Sequence, residues 1–170
     1  FPKNYFSSNF RLGVLGGGQL GRMLLTETQK LDIFTCILDP SPEAPCAEIC
    51  NEFYQGNLLD FETVYNFGKK VDLLTIEIEN VNIDALDQLE KEGLKIYPKP
   101  KDIRIIQNKA HQKNFYKNHS IPTADFNHYA YKDELIHAYN HSIVAFPFVW
   151  KAARFGYDGN GVKIVRNYAD

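Results

Sequence analysis

The sequence predicts an α/β fold built on a mostly parallel sheet, and two observations carry this prediction. Short apolar segments alternate with segments of helical period along residues 11–97, a pattern typical of parallel sheets with helical crossovers. Three consecutive glycines at 16–18 follow the first apolar segment and precede the first helical one. The proline-rich segment 98–100 marks a boundary, so we expect domains over residues 1–100 and 101–170.

The individual elements are predicted from apolar periodicity and from capping residues. In the first domain, strands are expected over residues 11–15, 33–38, 52–54, 72–78 and 94–97. Helices are expected from Leu20 onward, from the cap Asp60 to Lys69, and over 82–92. The second domain is predicted to hold one or two helices over 102–117, a strand near 126–129, a helix over 132–141 and a hairpin of strands 146–151 and 162–165. Because the chain stops just past a strand, we expect it to be the front part of a longer protein.

The composition is that of an ordinary globular protein, with 44% apolar residues, 24% charged residues and a formal net charge of −2. This balance gives no electrostatic footprint for nucleic acid or for an anionic membrane. No apolar run approaches the roughly 20 residues that span a bilayer. We therefore expect a cytoplasmic protein that binds neither.

The three cysteines, Cys36, Cys46 and Cys50, show no spacing recognised for zinc ligands. A zinc site completed by His111, His119 or His137 is one alternative. Buried free thiols of a cytosolic protein are the interpretation we adopt.

The glycine turn has the chemistry of an anion site. Gly16, Gly18 and Gly21 fill the spacing G-x-G-x-x-G, and a helix that begins at such a turn directs free N–H groups toward a ligand. Gln19 can add an amide to a phosphate or hydroxyl; alternatively, it is an exposed residue of the first helical turn. Asp39 follows the glycines by about 20 residues, where a dinucleotide-binding domain grips a ribose hydroxyl. A nicotinamide-dependent oxidoreductase is therefore an open alternative at this point.

Two acidic residues, Glu77 and Glu79, stand on or just past the end of the strand expected over 72–78. Residues two apart on a strand share a face, and the carboxyl ends of the strands form the ligand crevice of an open α/β sheet. The pair predicts a site for hydroxyl groups or an amine near the glycine turn. A solvated strand end explains it equally well.

Lys151 ends an apolar strand of the second domain, and the glycine-rich segment 156–161 follows it. An inward-pointing lysine is rarely buried without a partner, so we interpret Lys151 as a ligand of an anion. The alternative is an outward-facing strand residue. A glycine-rich loop that joins two strands can lie over phosphates.

Taken in order, these motifs resemble the 5-(carboxyamino)imidazole ribonucleotide synthase family, ATP-grasp enzymes of purine biosynthesis. As an ordered set they are far more specific than the glycine turn alone, and they cover nearly the whole chain. They are Gly-Gly-Gly-Gln-Leu-Gly-Arg-Met at 16–23, Leu-Asp-Pro at 38–40, Thr-Ile-Glu-Ile-Glu-Asn-Val at 75–81, Tyr-Pro-Lys-Pro at 97–100, Gln107-Asn108-Lys109, Gln112-Lys113, Ile-Pro-Thr-Ala at 121–124, and Lys151 with Gly-Tyr-Asp-Gly-Asn-Gly at 156–161.

The resemblance implies a Rossmann-like pre-ATP-grasp domain over 1–100 and the first part of an ATP-grasp α+β domain over 101–170. It implies a carbon–nitrogen ligase that uses Mg-ATP to activate bicarbonate as carboxyphosphate. The enzyme would then carboxylate the exocyclic amine of 5-aminoimidazole ribonucleotide and release ADP and phosphate. A homodimer is implied for the full-length form, with Mg²⁺ ligands and base contacts beyond residue 170.

The resemblance also assigns roles to residues. Those implied to face the ribonucleotide are Gly17, Gly18, Gln19 and Leu20, to which the strand-end pattern adds Glu77 and Glu79. Those implied to contact ATP are Arg104, Lys151, Gly156, Tyr157, Asp158, Gly159, Asn160, Gly161 and Val162, with Tyr157 and Asp158 as the catalytic pair. No metal ligand is expected within the segment. Asn160 stands where the family usually has Lys or Arg, so this position supplies an amide without a charge.

Two rival functions stay open. A nicotinamide-dependent oxidoreductase leaves Lys151 and the second glycine loop without a role. A non-catalytic, nucleotide-sensing module related to ATP-grasp enzymes fits Asn160 and the expected truncation. Whether the full-length protein is an ATP-grasp ligase or a nucleotide-sensing module, this chain alone is not expected to turn over substrate.

Overall fold

The computed structural model describes residues 9–154, 156 and 161–169. The chain divides into two compact units, Phe1–Arg104 and Ile105–Asp170.

The first unit is a five-stranded sheet in the order β3-β2-β1-β4-β5. Every strand pair in it is parallel, which confirms the predicted fold class. The strands are β1 (Arg11–Leu15), β2 (Phe34–Asp39), β3 (Glu52–Gln55), β4 (Leu73–Ile76) and β5 (Lys95–Tyr97). The helices are α1 (Gln19–Lys30), α2 (Phe61–Gly68), α3 (Ile83–Lys91) and α4 (Pro100–Ile106), which spans the end of the unit.

Helices cover both faces of this sheet, because neighbouring residues of a strand point to opposite sides. Val14 packs in one apolar cluster with Leu25 of α1. Leu15 belongs to a second cluster that contains apolar residues of α2 and α3, among them Val64 and Leu86. The sheet is therefore wound on both sides, as in Rossmann-like domains.

Two helix caps follow the sequence closely. The Asp60 side chain accepts the Thr63 N–H at 2.8 Å, as predicted for the start of α2. The Asn82 side chain likewise accepts the Ala85 N–H at 2.9 Å and begins α3. Side-chain acceptors at these positions satisfy N–H groups that a helix cannot pair internally.

The connection from β2 to β3 differs from the expected strand–helix alternation. Residues 40–51 form successive turns rather than a helix. Pro40, Pro42 and Pro45 supply the reason, since each lacks an N–H and a ring interrupts a regular helix. We call residues 40–51 the crossover segment.

The second unit contains α5 (Lys109–Asn118), α6 (Lys132–Asn140), β6 (Phe148–Lys151) and β7 (Val162–Val165). β6 and β7 form the predicted antiparallel hairpin. The helical stretch 102–117 is two helices, because Asn108 caps α5 by accepting the Ala110 N–H at 2.9 Å. The strand predicted near 126–129 is wrong: these residues are irregular. A strand needs a neighbour for its backbone groups, and in the described part of this unit the only paired strands are β6 and β7.

Glu92, directly after α3, ties α3 to α2. Its carboxylate accepts from Lys69 Nζ at 2.9 Å, from Gln88 Nε2 at 2.7 Å and from Tyr65 Oη at 2.9 Å. These donors, the lysine first, lower the pKa of the Glu92 carboxyl to about 2.

We expect a Glu92→Gln variant to lose a pH dependence of stability that the wild type shows between about pH 5 and about pH 2. A carboxyl whose pKa is lowered by folding stabilises the protein above its unfolded-state pKa, and this contribution disappears as the pH falls through the folded-state value. Urea denaturation at several pH values measures the effect. The difference in unfolding free energy between wild type and variant should shrink toward the acidic end, and a constant difference contradicts the prediction.

Candidate ligand site at the glycine turn

The glycine turn, residues 16–18, lies at the carboxyl end of β1, between its two neighbours β2 and β4. The helices that follow β1 and β4 pack on opposite faces of the sheet. Such a switch point opens a crevice at the strand ends where ligands of α/β proteins bind. The fold therefore places the turn where the sequence predicts a ligand.

Two N–H groups of the turn are already committed to the protein. The Gly16 N–H donates to the Leu38 carbonyl at 2.9 Å, and the Gly17 N–H donates to Asp39 Oδ2 at 2.7 Å. Gly16 has φ +97°, a left-handed conformation that favours glycine. The turn is thus fixed to the end of β2.

The next N–H groups are available. Gly18 is the N-cap of α1 and gives it no side-chain cap, and the first helical turn has no acidic residue. Among the described residues, no acceptor takes the N–H groups of Gly18, Gln19 or Leu20. Gln19 is exposed, and the Leu20 side chain is 67% exposed. The positive end of the α1 dipole and these free donors make an anion site.

Glu77 packs directly against the turn. Glu77 is the first residue after β4, which ends at Ile76. Its N–H donates to the Leu15 carbonyl at 2.7 Å. A Cβ placed on Gly18 would lie 2.5 Å from Glu77 Oε1, and a Cβ on Gly16 would lie 2.7 Å from Glu77 Oε2. The glycines are therefore required for the carboxylate to approach the turn this closely.

Glu77 and Glu79 both lie beyond the end of β4 at Ile76. The argument that they share one face of a strand is therefore wrong, because strand alternation does not extend past the strand. Glu79 is half-buried, and its backbone carbonyl accepts the Val81 N–H at 2.9 Å. Glu77 contacts Gly16 and Gly18.

Asp39 serves the turn itself. Oδ2 accepts the Gly17 N–H at 2.7 Å and Oδ1 accepts the Ser41 N–H at 2.8 Å. A carboxylate that grips a ribose hydroxyl must direct an oxygen to the ligand, whereas both Asp39 oxygens bind backbone. The dinucleotide interpretation depended on Asp39, so this geometry does not favour it.

Lys151 differs from its prediction in one respect. It is exposed, not buried, because β6 and β7 form a two-stranded sheet with exposed apolar residues. In the strand register Lys151 pairs with Val162, and Val149 pairs with Ile164. The side chains of Val149, Val162 and Ile164 therefore lie on the same face of the hairpin as Lys151, and they are 42–53% exposed. An exposed apolar face that carries one cation suits a ligand with an aromatic and an anionic part.

The base of the second glycine loop is closed by a bond from the Ala152 N–H to the Gly161 carbonyl at 2.7 Å. Gly156 is half-buried, Val162 is exposed, and Gly161 has φ +68°. The remaining predicted loop residues, Tyr157, Asp158, Gly159 and Asn160, lie outside the described residues.

Two further basic residues, Arg104 and Lys109, are relevant to the predicted ATP site. Arg104 of α4 donates to Asp87 and lies 3.7 Å from Asp84, both on α3; its assignment to ATP stays a prediction. Lys109, which the sequence-based assignment did not include, is half-buried, and its N–H donates to the Ala153 carbonyl at 2.8 Å. This bond places the start of α5 beside the residues that follow β6.

The cysteines are free thiols: Cys36 and Cys46 are buried, and Cys50 is half-buried. Within the described ranges, no three His, Cys, Asp or Glu side chains gather closely enough to hold a metal ion. None of the helices in the described part of the chain has the length and apolarity needed to cross a bilayer.

A sequence model of the ribonucleotide synthetase preATP-grasp domain family matches residues 10–107. The chain belongs to this family. The match contains the glycine turn, Asp39 and Glu77, so the geometry above is that of a preATP-grasp domain.

Relatives of this preATP-grasp protein confirm the resemblance found in its motifs. Phosphoribosylaminoimidazole carboxylase of Candida glabrata is 36% identical over 164 residues, which are 94% of this chain and 28% of the relative. N5-carboxyaminoimidazole ribonucleotide synthase of Pseudomonas aeruginosa is 34% identical over 160 residues, 94% of this chain and 43% of the relative.

A solved structure agrees with these relatives. The crystal structure of N5-carboxyaminoimidazole synthase from Aspergillus clavatus, in complex with ADP and 5-aminoimidazole ribonucleotide, matches with a TM-score of 0.82 and 31% identity. The match covers 95% of this chain and 42% of that one. The chain thus spans less than half the length of these three relatives.

Proposed function

We propose that the full-length protein carboxylates 5-aminoimidazole ribonucleotide with bicarbonate at the expense of ATP. The products are N5-carboxyaminoimidazole ribonucleotide, ADP and phosphate, with carboxyphosphate as the intermediate. The observation that carries the proposal is the glycine turn with Glu77 against it, within a family whose Aspergillus clavatus relative was crystallised with ADP and this ribonucleotide.

The turn suits the two ends of a ribonucleotide. The free N–H groups of Gly18, Gln19 and Leu20 stabilise a phosphate. The Glu77 carboxylate repels a phosphate at close range but accepts hydrogen bonds from a hydroxyl or an amine. Gly17, assigned by resemblance, and Glu79, assigned from the strand-end pattern, complete the proposed ribonucleotide residues. The phosphate therefore belongs at the helix N-terminus, and Glu77 belongs to the ribose or the aminoimidazole.

All but one of the ATP residues of the proposal lie in the second unit; the exception, Arg104, is the last residue of the first unit. Lys151 neutralises phosphate charge and the glycine-rich loop from Gly156 to Val162 covers the phosphates, while Arg104 is a further ATP contact assigned by resemblance. Tyr157 and Asp158 are the proposed catalytic residues. Phosphoryl transfer depends mainly on positioning and on charge neutralisation, and closure over carboxyphosphate excludes the water that would hydrolyse it.

Magnesium enters as the ion of Mg-ATP, and we propose that its protein ligands lie outside residues 1–170. We also propose a homodimer and a cytoplasmic location for the full-length protein. The decisive assay is ADP release by the full-length protein that requires both bicarbonate and 5-aminoimidazole ribonucleotide. Absence of turnover together with retained ATP binding favours the nucleotide-sensing module, and micromolar NADH binding that survives excess ATP favours the oxidoreductase.

A Gln19→Leu variant tests which ligand the glycine turn serves. We expect KM for 5-aminoimidazole ribonucleotide to rise about tenfold, since one hydrogen bond to a charged group is lost, while KM for ATP stays at its wild-type value. Steady-state kinetics with each substrate varied against saturating amounts of the other measure both constants.

Gln29→Leu is the matched control for this variant. Gln29 lies on the same helix, is also exposed, and donates to the Ile49 carbonyl at 3.0 Å rather than toward the turn. Its substitution should leave both KM values unchanged. A Gln19→Leu defect that appears only against ATP would show that the glycine turn binds the nucleotide instead.

A further inference from the structure

The crossover segment, residues 40–51, packs against the glycine turn and α1 through two buried residues, Ala44 and Cys46. Cys46 has no exposed surface and lies in the apolar cluster with Val14, Leu25 and Ile37. The segment therefore has a fixed anchor under α1, although it contains no regular helix or strand.

Cys46 donates to two successive carbonyls of the turn. Its N–H bonds the Gly17 carbonyl at 3.0 Å, and its thiol lies 3.6 Å from the Gly18 carbonyl as a sulfur donor. In a planar trans peptide, the N–H points opposite to the C=O. The Cys46 N–H holds the Gly17 carbonyl, and the thiol assists α1 in holding the Gly18 carbonyl, which also accepts the Arg22 N–H at 3.0 Å. The N–H groups of Gly18 and Gln19 are thereby turned to the other side.

The close approach depends on small residues. A Cβ placed on Gly21 would come 3.0 Å from Cys46 Sγ, and a Cβ on Gly17 would come 3.1 Å from the Ala44 Cβ. Gly17 and Gly21 thus also allow the crossover segment to pack closely against the glycine turn and α1.

The thiol keeps its proton. Burial, and then the neighbouring Cys50, Glu77 and Asp39, raise the pKa of Cys46 to about 11. At neutral pH the group is therefore a donor to a carbonyl and not a thiolate, which would repel both that carbonyl and an anion nearby.

We propose that Cys46 is a positioning residue for the ribonucleotide: it holds the Gly17 and Gly18 carbonyls so that the Gly18 and Gln19 N–H groups face the phosphate. The inference rests on the proposed function, which assigns the ribonucleotide to this turn. Cys46 itself is buried beneath the turn and acts through it.

The test is a Cys46→Ala variant of the full-length protein. It removes the thiol donor and keeps the backbone N–H, so KM for 5-aminoimidazole ribonucleotide should rise about fivefold. KM for ATP and kcat should stay unchanged, because the lost contact affects binding of the ribonucleotide equally in the ground state and in the transition state. A purely structural role would lower thermal stability without this split between substrates.

Cys50→Ala is the matched control. Cys50 lies in the same segment, and its thiol is 3.8 Å from the Ala47 carbonyl, away from the turn; its variant should keep both KM values. A folded Cys46→Ala protein with wild-type KM for the ribonucleotide, or with equal rises for ribonucleotide and ATP, overturns the proposal. If Gln19→Leu leaves the ribonucleotide KM unchanged in the same assay, the proposed function of the turn fails instead.

A measurement on the wild type covers the case in which Cys46→Ala does not fold. With ¹⁵N-glycine labelling, addition of 5-aminoimidazole ribonucleotide should shift the Gly18 amide most, and the amides of Gly16 and Gly17 little, since these two already donate within the protein. A Gly18 amide that stays in place at saturating ribonucleotide overturns the proposal.

Discussion

Replacement of Lys151 by alanine in the full-length protein is expected to raise KM for ATP by about 10- to 100-fold. A charge-assisted hydrogen bond to phosphate contributes about 1.5–3 kcal/mol, which corresponds to this range. The fold should be retained, because Lys151 is exposed at the end of β6 and its removal leaves no buried cavity. KM for 5-aminoimidazole ribonucleotide should change little.

Lys163→Ala is the control within the same hairpin. Lys163 pairs with Trp150 in the strand register, one position from the Lys151–Val162 pair, so its side chain belongs to the opposite face. We expect Lys163→Ala to leave KM for ATP near its wild-type value. Equal ATP defects in the two variants would mean that general positive charge, rather than Lys151, determines nucleotide affinity, and an unchanged constant in Lys151→Ala would make it an ordinary strand lysine.

The first unit follows the sequence closely because its signals are local. The strands, the cap Asp60 and the glycine turn appear close to where the sequence predicted them, and Asn82, predicted as the first residue of a helix, is the N-cap of α3. The parallel pairing also follows from the alternation of strands with helices over most of the unit. The crossover segment is the exception, and its prolines give the reason.

The sequence predicted the chemistry of the site less well than it predicted the fold of the first unit. Asp39 has the right spacing for a ribose ligand, yet its carboxylate binds the backbone of Gly17 and Ser41. The distinction depends on where both oxygens point, which spacing along the chain does not encode. Glu77 was expected beside the glycine turn, but its contact with Gly16 and Gly18 comes from the end of β4 and not from a shared strand face.

Lys151 and Cys46 show two features that the sequence did not reveal: the exposure of a lysine in an apolar strand, and the contacts of a thiol whose burial was predicted. The apolar neighbours of Lys151 suggested an interior strand, but a two-stranded hairpin leaves both strands exposed. Cys46 carried no motif, because its importance lies in two bonds to residues almost 30 positions earlier. The contacts of Gly17 with Ala44 and of Gly21 with Cys46 form only in the folded structure. The sequence indicated them only through the small residues present in both segments.

The last prediction separates backbone strain from steric contact at the glycine turn. Gly16 and Gly93 both have φ +97°, so an alanine at either position carries the cost of a left-handed conformation, about 1–2 kcal/mol. At Gly93 a new Cβ meets nothing within 4 Å. At Gly16 it meets Glu77 Oε2 at 2.7 Å and Ile78 Cγ2 at 3.0 Å, which adds an overpacking cost of about 1–3 kcal/mol.

We therefore expect Gly16→Ala to lower the free energy of unfolding by about 2–5 kcal/mol, the sum of these two costs, and Gly93→Ala to lower it by about 1–2 kcal/mol. Urea denaturation followed by circular dichroism measures both. Adding Glu77→Ala to Gly16→Ala should recover part of the loss, because the nearest clash is with the Glu77 carboxylate, whereas adding it to Gly93→Ala should recover none. Equal losses in the two glycine variants would mean that strain alone requires glycine at position 16 and that the Glu77 contact imposes no further constraint on the turn.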